Sequence, residues 1–323
     1  MRVLVTGIDG FVGSHLADFL SGLPDVEIHG TIFDRRPAPN LDPALPRLVL
    51  HRVDITRREA VCEVVEKVSP DSIVHLAGQA FVPSSIEDPA GTFQANVLGT
   101  VNLLEGARRL MQGGRGPSFL FVSSGEVYGR VEASRLPVAE ECSLAPANPY
   151  SFSKAAAEQA ALAYRSAYGM DVTVARPFNH AGPRQSPRFV VSDFARRFAL
   201  FARGEEAPVL QVGNLDVRRD FTDVRDVARA YWSLVGARHT EALFNVCSGV
   251  PLVIRDVVRI LEQVSGVTPT LKQDPERMRA YELPILVGSA ARLNAETGWT
   301  PTIDIATTIA DTYRWWLSQV ATP

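Results

Sequence analysis

Tyr150 and Lys154 stand four positions apart in Tyr150-Ser151-Phe152-Ser153-Lys154. On a helix that spacing puts them on one face, one turn apart. A free phenol titrates near pH 10, too high for ready proton exchange around neutrality. A fixed ammonium one turn away is expected to stabilise the phenolate and lower that value, making the tyrosine a usable acid or base. The flanking residues suit a helix. Ala155 to Leu162 is a strong helix-forming run, and Asn148-Pro149 supplies a cap and a first-turn proline just before Tyr150. Tyr-x-x-x-Lys alone also occurs on ordinary helix surfaces, so the surrounding chain has to decide its meaning.

Three further stretches point the same way. Gly7-x-x-Gly10-x-x-Gly13 lies between an apolar run and an amphipathic one, where glycines allow a tight turn and a close approach of backbone to a pyrophosphate. Phe11 and Val12 within it open the helix on which such a group rests. Asp34 follows 21 residues after Gly13, about where an acid meets the adenosine ribose. Arg35 and Arg36 come next and would instead suit a 2′-phosphate, so the choice between NAD and NADP stays open. Leu76-Ala77-Gly78 is small where a cofactor would lie against backbone, and His75 before it reads as a hydrogen-bonded packing residue. Ser123-Ser124 ends an apolar run, at the edge where open parallel sheets hold ligands. A hydroxyl there is placed to bond a substrate oxygen beside Tyr150.

The elements that must position these residues alternate. Apolar runs at Arg2–Thr6, Val26–Phe33, Arg47–Val53, Ser72–Ala77, Ser118–Val122 and Val172–Ala175 read as six strands with helical patterns between them. The implied fold is α/β, a doubly wound parallel sheet. Residues 1–176 are expected to form a dinucleotide-binding domain and 177–323 a smaller mixed α/β substrate lobe. That boundary is soft, with some later elements expected to return to the main sheet. Net charge is −3 without a basic run, which gives nucleic acid and membrane surfaces no support as partners. No apolar run reaches the ~20 residues of a membrane span. The cysteines, Cys62, Cys142 and Cys247, show no metal-ligand spacing. A cytoplasmic protein without a metal is the expectation.

In order along the chain, Gly7-x-x-Gly10-x-x-Gly13, Asp54-Ile55, His75-Leu76-Ala77, Asn96-x-x-Gly99-Thr100, Ser123-Ser124 and Tyr150-x-x-x-Lys154 resemble the extended short-chain dehydrogenase/reductases. The likeness spans essentially the whole chain. The second half is most similar to the GDP-mannose branch of that superfamily, on Arg176-Pro177-Phe178-Asn179-His180, Gly182-Pro183-Arg184-Gln185-Ser186-Pro187 and Gly213-Asn214-Leu215 through Asp226. Phe189 to Phe194 and Arg219-Asp220-Phe221-Thr222-Asp223 resemble the GDP-4-keto-6-deoxymannose reductases more than the GDP-mannose 4,6-dehydratases.

The resemblance implies a Rossmann-type sheet and NADP(H) or NAD(H). Tyr150 would be the proton donor, Lys154 its modulator and nicotinamide-ribose ligand, and Ser124 its hydroxyl partner. Asp54 and Ile55 would flank the adenine, with Asn96 and Pro177 among the cofactor contacts. Asn179, Val190 and Arg219 would hold the sugar diphosphate, and Arg279 and Glu282 would close on phosphate and ribose. Ala280 stands where the family usually has proline. Glu126 matches the glutamate with which sugar-nucleotide dehydratases take a C5 proton. Its neighbour is Gly125 rather than a hydroxyl or carboxylic residue, which favours reduction of a GDP-4-keto-6-deoxy hexose at C4 over 4,6-dehydration. Glu126 is then left as inherited scaffold or as a residue that orients substrate. A homodimer built from the helix around Pro89–Leu110 and the helix after Tyr150 is also implied.

Overall fold

The computed structural model describes residues 1–33, 40–42, 44–111, 114, 116–236, 239–277 and 283–320. Asp34, Arg35, Arg36, Arg279, Ala280 and Glu282 lie outside the described residues. The apolar runs of the first half form strands β1 (Arg2–Thr6), β2 (Glu27–Ile32), β3 (Leu48–Arg52), β4 (Ser72–His75), β5 (Ser118–Val122) and β6 (Val172–Pro177). Strands β1, β4 and β5 are buried almost throughout, as strands covered on both faces must be. Between them run α1 (Phe11–Ser21), α2 (Arg58–Val68), α3 (Val82–Glu87), α4 (Pro89–Phe93), α5 (Gly99–Leu110) and α6 (Pro149–Tyr168). A π turn, Gln94–Leu98, joins α4 to α5. Helix α6 starts as its sequence dictates. Asn148 caps it by accepting from Ser151 N in a capping box, and Pro149 fills the first turn.

The second half divides its elements between two places. Strands β7 (Asn179–Ala181), β9 (Arg218–Asp223), β11 (Pro251–Val253) and β13 (Ile285–Leu286) form a small sheet, while β8 (Val209–Val212) pairs with β12 (Thr270–Gln273). Helices α7 (Val190–Ala202), α9 (Ile254–Ser265) and α11 (Ile305–Gln319) enclose a second core around Phe194, Phe198, Val257, Leu261 and Ile309. The other elements join the first half. Strand β10 (Leu243–Val246) pairs in parallel with β6. Helix α8 (Val224–Ser233) lies with α1 over one face of the main sheet, and α10 (Ala291–Thr297) adds Leu293 to the same core.

Among the described residues the main sheet therefore has seven parallel strands in the order β10-β6-β5-β4-β1-β2-β3. The sequence reading has six, because it omits β10. Leu243-Phe244-Asn245-Val246 is only four residues long with an asparagine inside. Its burial comes from pairing with β6, a contact distant in the chain. Helix α2 is likewise not singled out by the sequence reading, although its Val61, Val65 and Val68 stripe is buried.

Three acids in Arg218–Asp226 fasten the second core to this frame. Asp220 accepts from Ser248 N at 2.8 Å, Gly249 N at 2.9 Å and Gly288 N at 3.2 Å, and burial raises its pKa. Asp223 caps α8 and accepts from Thr308 Oγ1 on α11 at 2.8 Å. Asp226 accepts from Thr302 N at 2.8 Å and Ile303 N at 2.9 Å.

Candidate active site

The glycine-rich turn is shaped by sterics. Gly7 has φ +68°, and a Cβ there would lie 2.9 Å from Ala77 Cα. A Cβ on Gly13 would sit 2.4 Å from Gly7 O. Gly10, the N-cap of α1, brings no side-chain cap. The first-turn N–H groups at Phe11 and Val12 thus face the turn without a helical acceptor. A narrow turn over an uncapped helix N-terminus suits a pyrophosphate, so the donors present fit a dinucleotide.

A buried relay sets the neighbouring strand end. Ala77 N donates to Thr6 Oγ1 at 3.1 Å, and Thr6 Oγ1 lies 2.8 Å from His75 Nδ1. His75 Nε2 lies 3.0 Å from Thr100 Oγ1, which itself donates to Asn96 O. Burial pushes the His75 pKa down to about 3, so its imidazole is neutral, donating from Nε2 and accepting at Nδ1. This is the packing role its position suggests. Asn96 in the π turn donates to Gln79 O and Ser153 Oγ, both at 2.9 Å, and accepts from Gln79 N at 2.8 Å. It ties the loop after Leu76-Ala77-Gly78 to the start of α6. Asp54 closes its own turn by accepting from Thr56 N at 2.9 Å, and Ile55 packs against Gly99.

Ser124, Tyr150 and Lys154 come together at the carboxyl edge of the sheet, each 8–9 % exposed. Tyr150 N donates to Ser85 Oγ at 3.1 Å, and Ser153 Oγ donates to Tyr150 O at 2.7 Å. The backbone beneath the phenol is thus held from two sides. Burial raises the Tyr150 pKa above its ordinary value, the Glu126 carboxylate adds to the rise, and a hydrogen bond with Ser124 opposes it. This reverses the expected lowering by Lys154. The Lys154 ammonium donates instead to Val122 O at 2.7 Å and lies 5.2 Å from the centre of the Phe121 ring. Its own burial lowers its pKa to about 8. Glu126 stands beside the pair, its N–H on Ser124 Oγ at 3.1 Å and its carboxylate 3.4 Å from Asn148 Nδ2. At Gly125 a Cβ would meet the Phe178 ring at 3.0 Å.

The residues expected to hold a sugar diphosphate lie on β7, α7 and β9. Pro177 ends β6, and Asn179, half-buried, begins β7 directly after Phe178. Val190 opens α7. Arg219 on β9 donates to Leu283 O at 2.7 Å and to Arg218 O at 2.8 Å.

Sequence reasoning missed the layer below. Glu158, one turn beyond Lys154, forms a buried ion pair with Arg176, whose Nε donates at 3.0 Å, and accepts from Ser123 Oγ at 2.7 Å. Arg176 also donates to Tyr128 OH at 2.8 Å, which donates to Asn245 Oδ1 at 2.7 Å. Asn245 N donates to Glu140 Oε1 at 2.7 Å. The signal was present as single charges inside the apolar runs of α6 and β6, since lone charges there have to find buried partners.

A parallel sheet with this turn, edge tyrosine and lysine defines a dinucleotide-dependent oxidoreductase of the extended short-chain type. A family model described as GDP-mannose 4,6 dehydratase matches residues 4–312, and the chain belongs to that family. It is 40% identical over 319 residues to GDP-6-deoxy-D-mannose reductase of Pseudomonas aeruginosa, covering 99% of this chain and 98% of the relative. Among solved structures it is similar to RMD from Pseudomonas aeruginosa complexed with NADPH, at 39% identity and TM-score 0.84, over 98% of this chain and 99% of the other. The UDP-glucose 4-epimerase of Thermus thermophilus in complex with NAD aligns at 31% identity and TM-score 0.85, over 98% and 99%. NAD(P)(H) is the cofactor class these neighbours support.

Proposed function

We propose that this chain is an NAD(P)H-dependent reductase acting on the C4 ketone of a GDP-4-keto-6-deoxy hexose, giving GDP-D-rhamnose or its C4 epimer. The observation that carries this reading is the paired state of Tyr150 and Gly125. Burial holds the phenol protonated, the loaded state of a residue that gives its proton to a new alkoxide. The position before Glu126 carries no acid to expel a C6 hydroxyl. The 40% identity to a reductase supports the same choice.

Gly7, Gly10, Phe11, Val12 and Gly13 would hold the pyrophosphate, and Lys154 the nicotinamide ribose. NAD(P)H, when bound, supplies the hydride. Ser124 hydrogen-bonds the C4 oxygen and Tyr150 protonates it. Arg219, with Asn179 and Val190, takes the sugar diphosphate, a guanidinium being able to fork two phosphate oxygens. The capping box of Asn148 and Ser151, with Pro149 in the first turn, would fix the start of α6, on which Tyr150 sits. The three cysteines are free, which suits a reducing cytoplasm.

The test is to follow NADPH absorbance with GDP-4-keto-6-deoxymannose and with GDP-mannose. Stoichiometric oxidation with the ketosugar is expected. Conversion of GDP-mannose with no net cofactor change would instead establish the dehydratase, for which the retained Glu126 is the favouring observation. Tyr150→Phe is expected to lower turnover on the order of 10²–10⁴-fold while NADPH still binds. Near wild-type turnover in that folded variant would remove Tyr150 as the acid.

A further inference from the structure

We propose that Arg184 is a positioning residue for the cofactor, although it lies in the loop the sequence pattern allots to the sugar nucleotide. Strand β7 and the loop after it turn back onto α1 at three points. His180 stacks on Phe11 with ring centres 5.9 Å apart and planes 12° apart. Pro183 O lies 2.9 Å from His15 Nε2. Burial lowers the His15 pKa, so the neutral ring donates its Nε2–H to that carbonyl. Arg184 makes the third contact: its guanidinium pairs with Asp18 on α1 and donates to Asn40 O at 3.1 Å. Asn40 Nδ2 in turn donates to Asp9 O, inside the glycine-rich turn, at 3.2 Å.

A chain of contacts therefore runs from the second half of the protein through Arg184 and Asn40 to the turn that cradles the pyrophosphate. Arg184 also has φ +71°, a left-handed backbone that costs energy at any residue but glycine. The chain accepts that cost where the guanidinium bridges helix and turn. Lysine, with one charge centre, cannot replace a fork across two partners. The role assigned is to hold the glycine-rich turn in its binding shape, so Arg184 acts on cofactor affinity through Asn40.

This inference rests on NAD(P)H being the cofactor and on nothing about the sugar. Its test is titration of NADPH by nucleotide fluorescence and of GDP by calorimetry, with melting temperature alongside. Arg184→Asn removes the guanidinium, and asparagine tolerates the left-handed backbone. It is expected to weaken NADPH about tenfold, the equivalent of one charge-assisted contact, and to leave GDP affinity within about twofold. Arg184→Lys should recover part of the loss. Asn40→Ala, one link further along, should weaken NADPH by a similar factor, and the double variant no more than either alone. Unchanged NADPH affinity in both single variants, or a loss that falls on GDP instead, would overturn the assignment. Because binding is measured, a wild type that takes NADPH but reduces no ketosugar defeats the reductase reading alone.

Discussion

Lys154 enters the site at a cost that decides how the free protein responds to pH. Its ammonium is buried against Phe121, with one backbone carbonyl at 2.7 Å, and its pKa falls to about 8. In the unfolded chain a lysine titrates near 10.5. Between the two values the unfolded state binds more protons, so stability rises with pH through about 8 to 10.5. Below that window the full penalty of burying the charge is present, and above it none remains. Lys154→Met is therefore expected to be more stable than wild type at pH 7, by up to about 3 kcal/mol. The gap should close as pH passes 10. Urea denaturation at pH 7 and pH 10 measures it, and a constant gap would count against the charge as its cause. Tyr150 behaves in the opposite sense, since burial of the phenol disfavours its charged form.

Helix α6 carries two burdens on opposite faces. Its inner face supplies Tyr150, Lys154 and Glu158. Its outer face presents Phe152, 54% exposed, and Leu98, 55% exposed, belongs to the π turn packed against α6. Phe93 and Phe152 lie 5.5 Å apart between ring centres. Apolar groups left together on two adjacent helices ask for a covering surface, and we propose that a second copy of the chain covers them through a four-helix bundle. The Ala-rich outer face, with Ala156, Ala160 and Ala163, allows a close approach. Light scattering at micromolar concentration should report a dimer. Phe152→Glu with Leu98→Glu should give a folded monomer, and a monomeric wild type would refute the arrangement.

The whole molecule is held together less by a linker than by chain that crosses back. Strand β10 and helices α8 and α10 complete the first core, so β9, which bears Arg219 and runs directly into α8, is tied to the main sheet. Asp220 is the main fastener, its carboxylate accepting from Ser248, Gly249 and Gly288 in a fully buried site. Asp220→Ala would leave those donors without a partner. The expected loss is about 3–5 kcal/mol, read as the shift in a urea unfolding midpoint at constant slope. A loss under about 1 kcal/mol would mean that water or a rearranged loop replaces the carboxylate.

Much of this protein is local physics, and local physics is written in the order of residues. Apolar runs with intervening helical patterns foretell six of the seven main strands, because period and burial go together. The glycine-rich turn is legible because only glycine fits at Gly7 and Gly13. The Tyr150–Lys154 spacing is legible because a helix turn repeats every four residues or so. Likeness over the whole chain then favours reductase over dehydratase, through the 40% identity to GDP-6-deoxy-D-mannose reductase. What is not legible depends on contacts between distant residues. Strand β10 is too short to announce itself, and only its pairing with β6 makes it part of the sheet. The spacing that places a lysine near a tyrosine gives the wrong sign for the phenol's pKa, because it cannot show how deeply both are buried. Burial of the phenol, with the Glu126 carboxylate beside it, sets the upward sign. The acids Asp220, Asp223 and Asp226 stand in sequence only as part of a family signature, and folding makes them fasteners. Arg184 stands in the loop before α7, and folding pairs it with Asp18 of α1 and with Asn40. In each case the side chain's chemistry was known from its letter, while its partner, and hence its role, was set only when the chain folded back.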